Sequence, residues 1–139
     1  MTAKITEAET AFLQARRLGM FSTAVGEGWS RPVPVWYDWN GASVTVFSFR
    51  NAPKVARVRA EPRAHILMAN HPDETEHWVS IAGTVTLSDT DPEWLGRVAA
   101  RYWDLSDPAR GDVVREWQAD VASLISLEIT PTEVHTYGF

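Results

Sequence analysis

Asn40-Gly41 lies between two stretches of alternating apolar residues, and this arrangement constrains the fold more than any other feature of the sequence. Asn-Gly strongly favours a tight β-hairpin, because both turn residues must accept positive φ. Arg31–Trp39 precedes the turn and Ser43–Phe49 follows it. The pattern predicts that these two stretches pair antiparallel. In the first of them, one strand face holds Val33, Val35, Tyr37 and Trp39.

Other short stretches have the composition of strands and are bounded by turn-forming residues. They bring the expected total to about six or seven strands. These strands come in hairpins and do not alternate regularly with helices, which makes a doubly wound parallel sheet improbable. We expect a mainly β fold, an antiparallel barrel with peripheral α-helices. The additional stretches are Met20–Val25, His65–Ala69, Trp78–Leu87, Leu124–Ile129 and Glu133–Tyr137.

Helix signals occur at four places along the chain. Thr6 and Glu9 have the spacing of a capping box, and so do Thr90 and Glu93 around a proline. In the segment from Arg50 to Pro62, Asn51 can cap a short helix whose first turn contains Pro53. Asp107-Pro108 starts the last of the four helices.

Length and composition indicate one compact domain spanning residues 1–139. A chain of 139 residues is long enough to bury a sizeable core, and no stretch approaches the roughly 20 apolar residues of a membrane span. The absence of cysteine excludes disulfides and thiolate chemistry, and the net charge of −5 argues against broad nucleic-acid binding. The first ten residues lack the apolar centre of a secretory signal, so we expect a cytoplasmic protein.

The segment around Ser48, Arg50 and Lys54 has the residues of an anion site. It lies where a predicted strand meets a predicted helix, and a helix N-terminus presents unpaired N–H groups and partial positive charge. A hydroxyl and two cations at such a place could hold a phosphate. The alternative is that Asn51 caps the helix and the basic residues form a solvated face.

Other candidate sites are weaker. The loop from residue 71 to 77 contains His71, Asp73, Glu74, Glu76 and His77 without a recognised metal-ligand spacing. We interpret this loop as a polar hairpin connection and expect no metal. His65 and His135 are interpreted as satisfied core or interface residues, and no G-x-S-x-G motif points to a serine hydrolase.

Four ordered segments resemble the pyridoxamine 5'-phosphate oxidase-like family of split-barrel flavin-binding proteins. The segments are Met20–Ala24, Arg31–Gly41, Phe47–Arg50 with Lys54 and Pro62, and Trp78–Thr84. The resemblance implies an antiparallel split β-barrel and a homodimer that binds FMN, or a deazaflavin coenzyme of the F-420 type, at the subunit interface. It also implies an oxidoreductase that transfers hydride to a small, conjugated organic substrate, with the cofactor supplying the chemistry.

The resemblance also implies roles for individual residues. The cofactor phosphate would be bound by Ser48, Arg50 and Lys54, with Phe49 beside them. The cofactor ring would be lined by Val35, Trp36 and Tyr37, and Trp78 would complete the pocket, either from the same chain or from the partner subunit. Core packing is the alternative for Val35 and Tyr37, and a cross-strand packing pair is the alternative for Trp78.

Several choices stay open on the sequence alone. The chain ends without the Arg-x-His-type segment of the authentic oxidases, which puts vitamin B6 oxidation in doubt. A basic concentration would suit the anionic tail of a deazaflavin coenzyme, although a helix would point some of its members away. Aromatic residues of the later helices could shape a substrate pocket or a dimer contact, or could simply be core. A carrier that binds a flavin or tetrapyrrole without turnover is the alternative function, and a barrel without a cofactor is the third. The basic residues are Arg50, Lys54, Arg57, Arg59 and Arg63, and the aromatic ones are Trp94, Tyr102, Trp103 and Trp117.

Overall fold

The computed structural model describes residues 4–24 and 28–139. Within them it contains four α-helices and seven β-strands. Val25, the last residue of one predicted strand, lies outside the described residues. The helices are α1 (Glu7–Gln14), α2 (Pro53–Ala60), α3 (Pro92–Tyr102) and α4 (Pro108–Ala119). The strands are β1 (Gly19–Thr23), β2 (Val33–Val35), β3 (Asp38–Trp39), β4 (Val44–Phe49), β5 (Arg63–Ala69), β6 (Trp78–Asp89) and β7 (Leu124–Tyr137).

All seven strands belong to one antiparallel sheet in the order β2-β1-β5-β6-β7-β4-β3. The two edges, β2 and β3, are neighbours in the chain and do not pair with each other in this sheet. The expected fold class is therefore confirmed: the protein is mainly β, with peripheral helices, and its unclosed sheet is consistent with a split barrel. No helix within residues 4–24 and 28–139 has the length and apolar character needed to cross a membrane.

The prediction of one continuous strand over Arg31–Trp39 was wrong. The stretch forms β2 and β3, which pair with different neighbours at opposite edges of the sheet. Between them, the Tyr102 hydroxyl and the Arg101 guanidinium bind the main chain of Tyr37, so side chains of α3 replace a neighbouring strand there. The alternation was still informative, because Val35, Tyr37 and Trp39 are all buried.

The predicted hairpin is present, but its turn differs from the prediction. β3 and β4 pair antiparallel, with Trp39 opposite Val44. The Asn40 side chain accepts hydrogen bonds from the main-chain N–H groups of Ala42 and Ser43, both at 2.8 Å. Gly41 has a φ of 95°, whereas no non-glycine residue in the described part of the chain has positive φ. The turn is thus a longer loop that the asparagine side chain closes.

The two predicted closing strands form the single strand β7. It pairs with β6 along its length, and the register shifts where Ala82 lies opposite Glu133 and Gly83 lies opposite Pro131. Thr132 is therefore an extra residue on β7, as in a β-bulge. The sequence break around Pro131 marks this bulge and not the end of a strand, because a proline at a bulge removes no needed ladder bond.

Two of the four predicted helix starts were correct in detail. Thr6 and Glu9 form the capping box of α1, and the Asp107 side chain caps α4. The Asn51 cap was wrong, because α2 begins after Ala52 and has no side-chain cap. The Thr90 capping box was also wrong. Asp91 caps α3, while the Thr90 hydroxyl is buried against Ser126 at 2.9 Å.

The polar loop between β5 and β6 is tied to α1 by a buried arginine. Arg17 donates two hydrogen bonds to the Glu74 carboxylate, at 2.6 and 3.0 Å, and its guanidinium lies 3.7 Å from the centre of the Phe12 ring. The hydrogen bond from Arg17, helped by one from the His71 N–H, lowers the pKa of Glu74 to about 2. Glu74 therefore anchors the loop through its ion pair with Arg17. In the part of the chain that the structure describes, no group of three or more His, Asp or Glu side chains is placed to hold a metal.

Candidate functional site

Two adjoining cavities lie between β2 and the start of α2. We call the larger one, of about 310 Å³, the basic cavity, and the smaller one, of about 220 Å³, the aromatic cavity. Both are lined by Pro34 and Lys54, so these residues form their common wall. The basic cavity is lined by Phe21, Ser22, Thr23, Arg31, Val33, Pro34, Ala52, Pro53, Lys54 and Arg57. The aromatic cavity is lined by Pro34, Val35, Trp36, Phe47, Lys54 and Trp117.

The basic cavity concentrates positive charge. Arg31, Lys54 and Arg57 line it, and none of the described residues that line it is acidic. Among the described residues none of these three cations takes part in an ion pair. Lys54 is half-buried with its ammonium 5.8 Å from the centre of the Phe21 ring, and this burial lowers its pKa. A partly desolvated ammonium of this kind is stabilised by an anionic ligand.

The N-terminus of α2 adds to the same electrostatic field. Pro53 is the first helical residue, and its N-cap, Ala52, offers no side-chain oxygen to the first turn. Pro53 has no N–H group, and the N–H groups of Ala52 and Val55 donate to the carbonyls of Phe49 and Ala52. The helix start therefore contributes the Lys54 N–H group and the partial positive charge of the helix N-terminus. Ala52, Pro53 and Lys54 all line the basic cavity, so the helix start faces the place where the cations converge.

Of the three residues predicted to bind phosphate, the structure places only Lys54 at the cavities. Ser48 is buried in β4 opposite Ile125. The Arg50 guanidinium donates to the Ala122 carbonyl at 2.7 Å and to Asp89 at 2.5 Å. Phe49, between them, is half-exposed. Neither Ser48, Phe49 nor Arg50 lines either cavity, and their binding role stays a prediction.

Of the three residues predicted to contact the cofactor ring, two line a cavity and one lies in the core. Val35 and Trp36 line the aromatic cavity, whereas Tyr37 is fully buried and its hydroxyl donates to the Leu13 carbonyl at 2.8 Å. Burial raises the pKa of the Tyr37 hydroxyl. Tyr37 thus has the position of a core residue, which was the alternative interpretation of the sequence.

Trp78 lines neither cavity of its own chain. It stacks on Tyr137 of the neighbouring strand, with ring centroids 6.1 Å apart and planes inclined by 13°. Val35 of the aromatic cavity is level with Val79 in the sheet, but β1 and β5 lie between β2 and β6. A role for Trp78 in the pocket of a second copy of the chain stays a prediction.

The site also contains residues that sequence reasoning did not assign to it. Arg31 and Arg57 add cations to the basic cavity, and Phe47 and Trp117 line the aromatic one. Arg57 was noticed in the sequence as part of a basic concentration, but its direction depends on how α2 docks. Trp117 was noticed in the sequence among the aromatic residues that could shape a pocket. Its contact with Trp36 could not be predicted, because the two lie about 80 residues apart in the chain and meet only when α4 packs on the sheet.

The chain is similar to known proteins along nearly its whole length. A family model described as pyridoxamine 5'-phosphate oxidase matches residues 5–138. The chain belongs to the pyridoxamine 5'-phosphate oxidase family. The resemblance seen in the sequence segments is therefore confirmed. No curated protein matches the chain.

Solved structures of this family's fold include proteins with different activities. An F420 reductase is 19% identical with a TM-score of 0.75, and the match covers 94% of this chain and 98% of that one. General stress protein 26 of Bacillus anthracis is 16% identical with a TM-score of 0.67, covering 91% and 88%. HutZ, a haem-storage protein of Vibrio cholerae, is 13% identical with a TM-score of 0.64, covering 97% and 94%. At these identities the likeness shows the fold alone.

Proposed function

We propose that this member of the family is an oxidoreductase that uses FMN or a deazaflavin coenzyme of the F-420 type. It transfers hydride to a small, conjugated organic substrate. The observation that carries the proposal is the basic cavity, where Arg31, Lys54 and Arg57 converge on the start of α2 and no acidic residue of 4–24 or 28–139 lines the wall. An adjoining cavity with aromatic walls lies on the other side of Lys54.

The residues present fit the parts of such a coenzyme. Its phosphate matches Lys54 and the start of α2, since charge-assisted hydrogen bonds are the strong ones. Its ring system would lie along β2, which is an edge strand in the described part of the sheet and can offer main-chain groups to the polar ring edge. The bound coenzyme supplies the hydride chemistry, and the protein binds it and excludes water.

Arg50 could join the phosphate site by changing partners. Its ion pair is with Asp89, whose side chain is 92% exposed. An exposed ion pair contributes only about 0–1 kcal/mol, so a phosphate would compete well for Arg50. Ser48 and Phe49 directly precede Arg50 at the end of β4, and we include them in the proposed phosphate site.

The arrangement of the arginines favours the deazaflavin coenzyme over FMN. Arg31 and Arg57 are both exposed and extend the positive charge from Lys54 toward solvent. FMN ends in a phosphate that Lys54 could satisfy, whereas the deazaflavin coenzyme continues into an anionic oligoglutamate tail. A longer anion can interact with cations that lie outside the phosphate site.

The test is a titration of the purified protein with each coenzyme, followed by ligand fluorescence and thermal stability. We expect Arg57→Gln to weaken deazaflavin binding about three- to fivefold, the size of an exposed ion pair, and to change FMN binding less. Arg59→Gln is the matched control, because Arg59 lies on the same helix and does not line the basic cavity. Equal effects of the two substitutions would contradict the assignment, and failure of both coenzymes to bind the unaltered protein would overturn the proposed function.

We also propose that the protein is a homodimer, with the outer face of β1, β5 and β6 in the interface. Met20 and Leu67 are neighbours on this face, and Trp78 lies on the same face of β6. Met20 is 39% exposed, and Leu67 and Trp78 are partly exposed. The same face holds His65 and Ser80, hydrogen-bonded to each other at 2.6 Å, and its partly exposed aromatic and methionine side chains are of the types enriched in interfaces.

Sedimentation velocity checks the dimer. We expect the unaltered protein to sediment with the mass of two chains and Leu67→Lys to sediment as one, because a buried unpaired charge opposes association. The circular dichroism spectrum should not change, since the Leu67 side chain points away from the barrel interior. A single-chain mass for the unaltered protein would remove the dimer and with it the role of Trp78.

A non-catalytic carrier is the second candidate. The fold shared with the haem-storage protein HutZ supports it. Against a tetrapyrrole stands the lining of the two cavities, because its described residues include no His, Met, Tyr or Cys to ligate haem iron. A coenzyme that binds tightly but shows no reductant-dependent turnover with a broad panel of acceptors would favour a flavin carrier.

A further inference from the structure

Lys54 has the surroundings of a reactive amine. It lies on the wall shared by the two cavities and is half-buried, with its nitrogen 5.8 Å from the centre of the Phe21 ring. Within residues 4–24 and 28–139 no carboxylate forms an ion pair with it. Burial lowers the pKa of Lys54, so a larger share of its amine is unprotonated than in an exposed lysine. Desolvated lysines of this kind form imines with carbonyl compounds.

Two arginines lie beside this amine in the basic cavity. Arg57 is three residues further along α2, which places its Cβ atom about 5–6 Å from that of Lys54 on the same side of the helix. Arg31 lines the cavity from the segment before β2. A guanidinium keeps its proton, and it binds phosphate through paired hydrogen bonds. The cavity therefore combines one nucleophile with two groups that bind anions.

We propose that Lys54 is a covalent binding site for short-chain phosphorylated aldehydes. Its amine nitrogen adds to the aldehyde carbon, and loss of one water molecule leaves a carbon–nitrogen double bond. The step consumes no oxidant or reductant, and hydrolysis reverses it. At the other end of the ligand, the phosphate accepts hydrogen bonds from Arg57 and Arg31.

The length of the ligand follows from the geometry of the helix. Lys54 and Arg57 are neighbours on the surface of α2, so a chain of a few atoms is enough to connect the amine to the guanidinium. The volume of the basic cavity, about 310 Å³, lies at the lower end of the range for small-molecule sites. Both observations favour a small aldehyde over an extended one.

This inference goes beyond the proposed function, because imine formation needs the amine and the arginines and no coenzyme. The two are connected through the cavity that they share, since the aldehyde would take the place that we assign to the coenzyme phosphate at Lys54. Phosphorylated aldehydes would therefore act as reversible inhibitors of coenzyme binding.

The test exposes the purified protein to glyceraldehyde 3-phosphate or to glyceraldehyde, each with sodium cyanoborohydride, which reduces an imine to a stable secondary amine. Peptide mass spectrometry measures the labelling rate at each lysine. We expect the phosphorylated aldehyde to label Lys54 at least about tenfold faster than glyceraldehyde does, the size of one hydrogen bond to a charged group. Lys4, the only other lysine of the sequence, is the internal control, because it is exposed and lines neither cavity. At Lys4 the two aldehydes should react at similar rates.

Three variants separate the roles of the side chains. Arg57→Gln should reduce the preference for the phosphorylated aldehyde at Lys54 about three- to fivefold, the size of an exposed ion pair. Arg59→Gln should leave this preference unchanged, because Arg59 lies on the same helix and does not line the basic cavity. Lys54→Arg should lose the label at this position and keep most of the coenzyme affinity, since a guanidinium retains the charge but forms no imine.

Two outcomes would overturn the inference. One is the same ratio of the two labelling rates at Lys54 and at Lys4, a comparison made within one protein that does not depend on whether a variant folds. The other is an equal effect of the two glutamine variants. Coenzyme binding is titrated in parallel. If the coenzyme binds and Lys54 is not labelled selectively, only this inference fails, whereas selective labelling without coenzyme binding overturns the proposed function alone.

Discussion

Lys54→Ala is expected to weaken coenzyme binding about 10- to 100-fold while the protein stays folded. A hydrogen bond to a charged group contributes about 1.5–3 kcal/mol, and Lys54 is the cation nearest the centre of the site because it lines both cavities. The fold should persist, since among the described residues the Lys54 side chain has no ion pair to lose, and alanine suits the first turn of a helix. Coenzyme fluorescence titration measures the affinity, and a thermal melt checks the fold.

The pH dependence of coenzyme affinity tests whether the charge of Lys54 contributes to binding or whether the residue is only structural. Burial lowers the pKa of Lys54 below its usual 10.5, so its charge is lost earlier than usual as the pH rises. Above pH 7.5 a phosphate no longer changes its charge, so a fall in affinity with rising pH reports the lysine. The fall should be absent in Lys54→Ala and shifted to higher pH in Lys54→Arg, which should bind nearly as well as the unaltered protein. An unchanged titration of Lys54→Ala would end the assignment of the basic cavity.

The sheet could be predicted from the sequence because its signals are local. Alternation and the Asn-Gly turn located the β3–β4 hairpin, and the apolar stretch of β6 located its pairing with β5. The break between β2 and β3 could not be predicted, because it depends on Arg101 and Tyr102, more than 60 residues away in the chain. A local pattern cannot report a contact of that range.

The sequence located only some of the residues of the candidate site, and its anion-binding chemistry stays a prediction. A strand leading into a helix start with basic residues pointed to an anion site, and Lys54 does line a basic cavity there. Arg50 was placed in the same group because it is near in sequence, but its guanidinium turns toward Asp89 and Ala122. The direction of a long side chain depends on hydrogen-bond partners from other helices and strands. The spacing of residues in the sequence does not reveal those partners.

Gly83→Ala is expected to destabilise the protein by at least about 3 kcal/mol, the range of the most severe single substitutions. A Cβ atom at this position would lie 2.0 Å from the Thr130 carbonyl oxygen and 2.7 Å from its carbon. Both atoms belong to the backbone of β7, which cannot move aside as a flexible side chain could. Gly83 also lies in the centre of the sheet, paired with Ala64 on one side and Pro131 on the other.

A thermal melt beside Gly96→Ala tests this prediction. At Gly96 the added Cβ would meet the Gln118 side-chain amide at 2.8 Å, and that amide ends a flexible side chain. Because Gly96 lies within α3, alanine there should be neutral or stabilising by up to about 1 kcal/mol. We expect Gly83→Ala to melt at least about 10 °C lower than the unaltered protein, or not to accumulate in folded form. A melting temperature within a few degrees of the unaltered protein would mean that β7 can shift at its bulge. The single long strand would then be adaptable at that point, and the glycine would not be required for the close approach of β6 and β7.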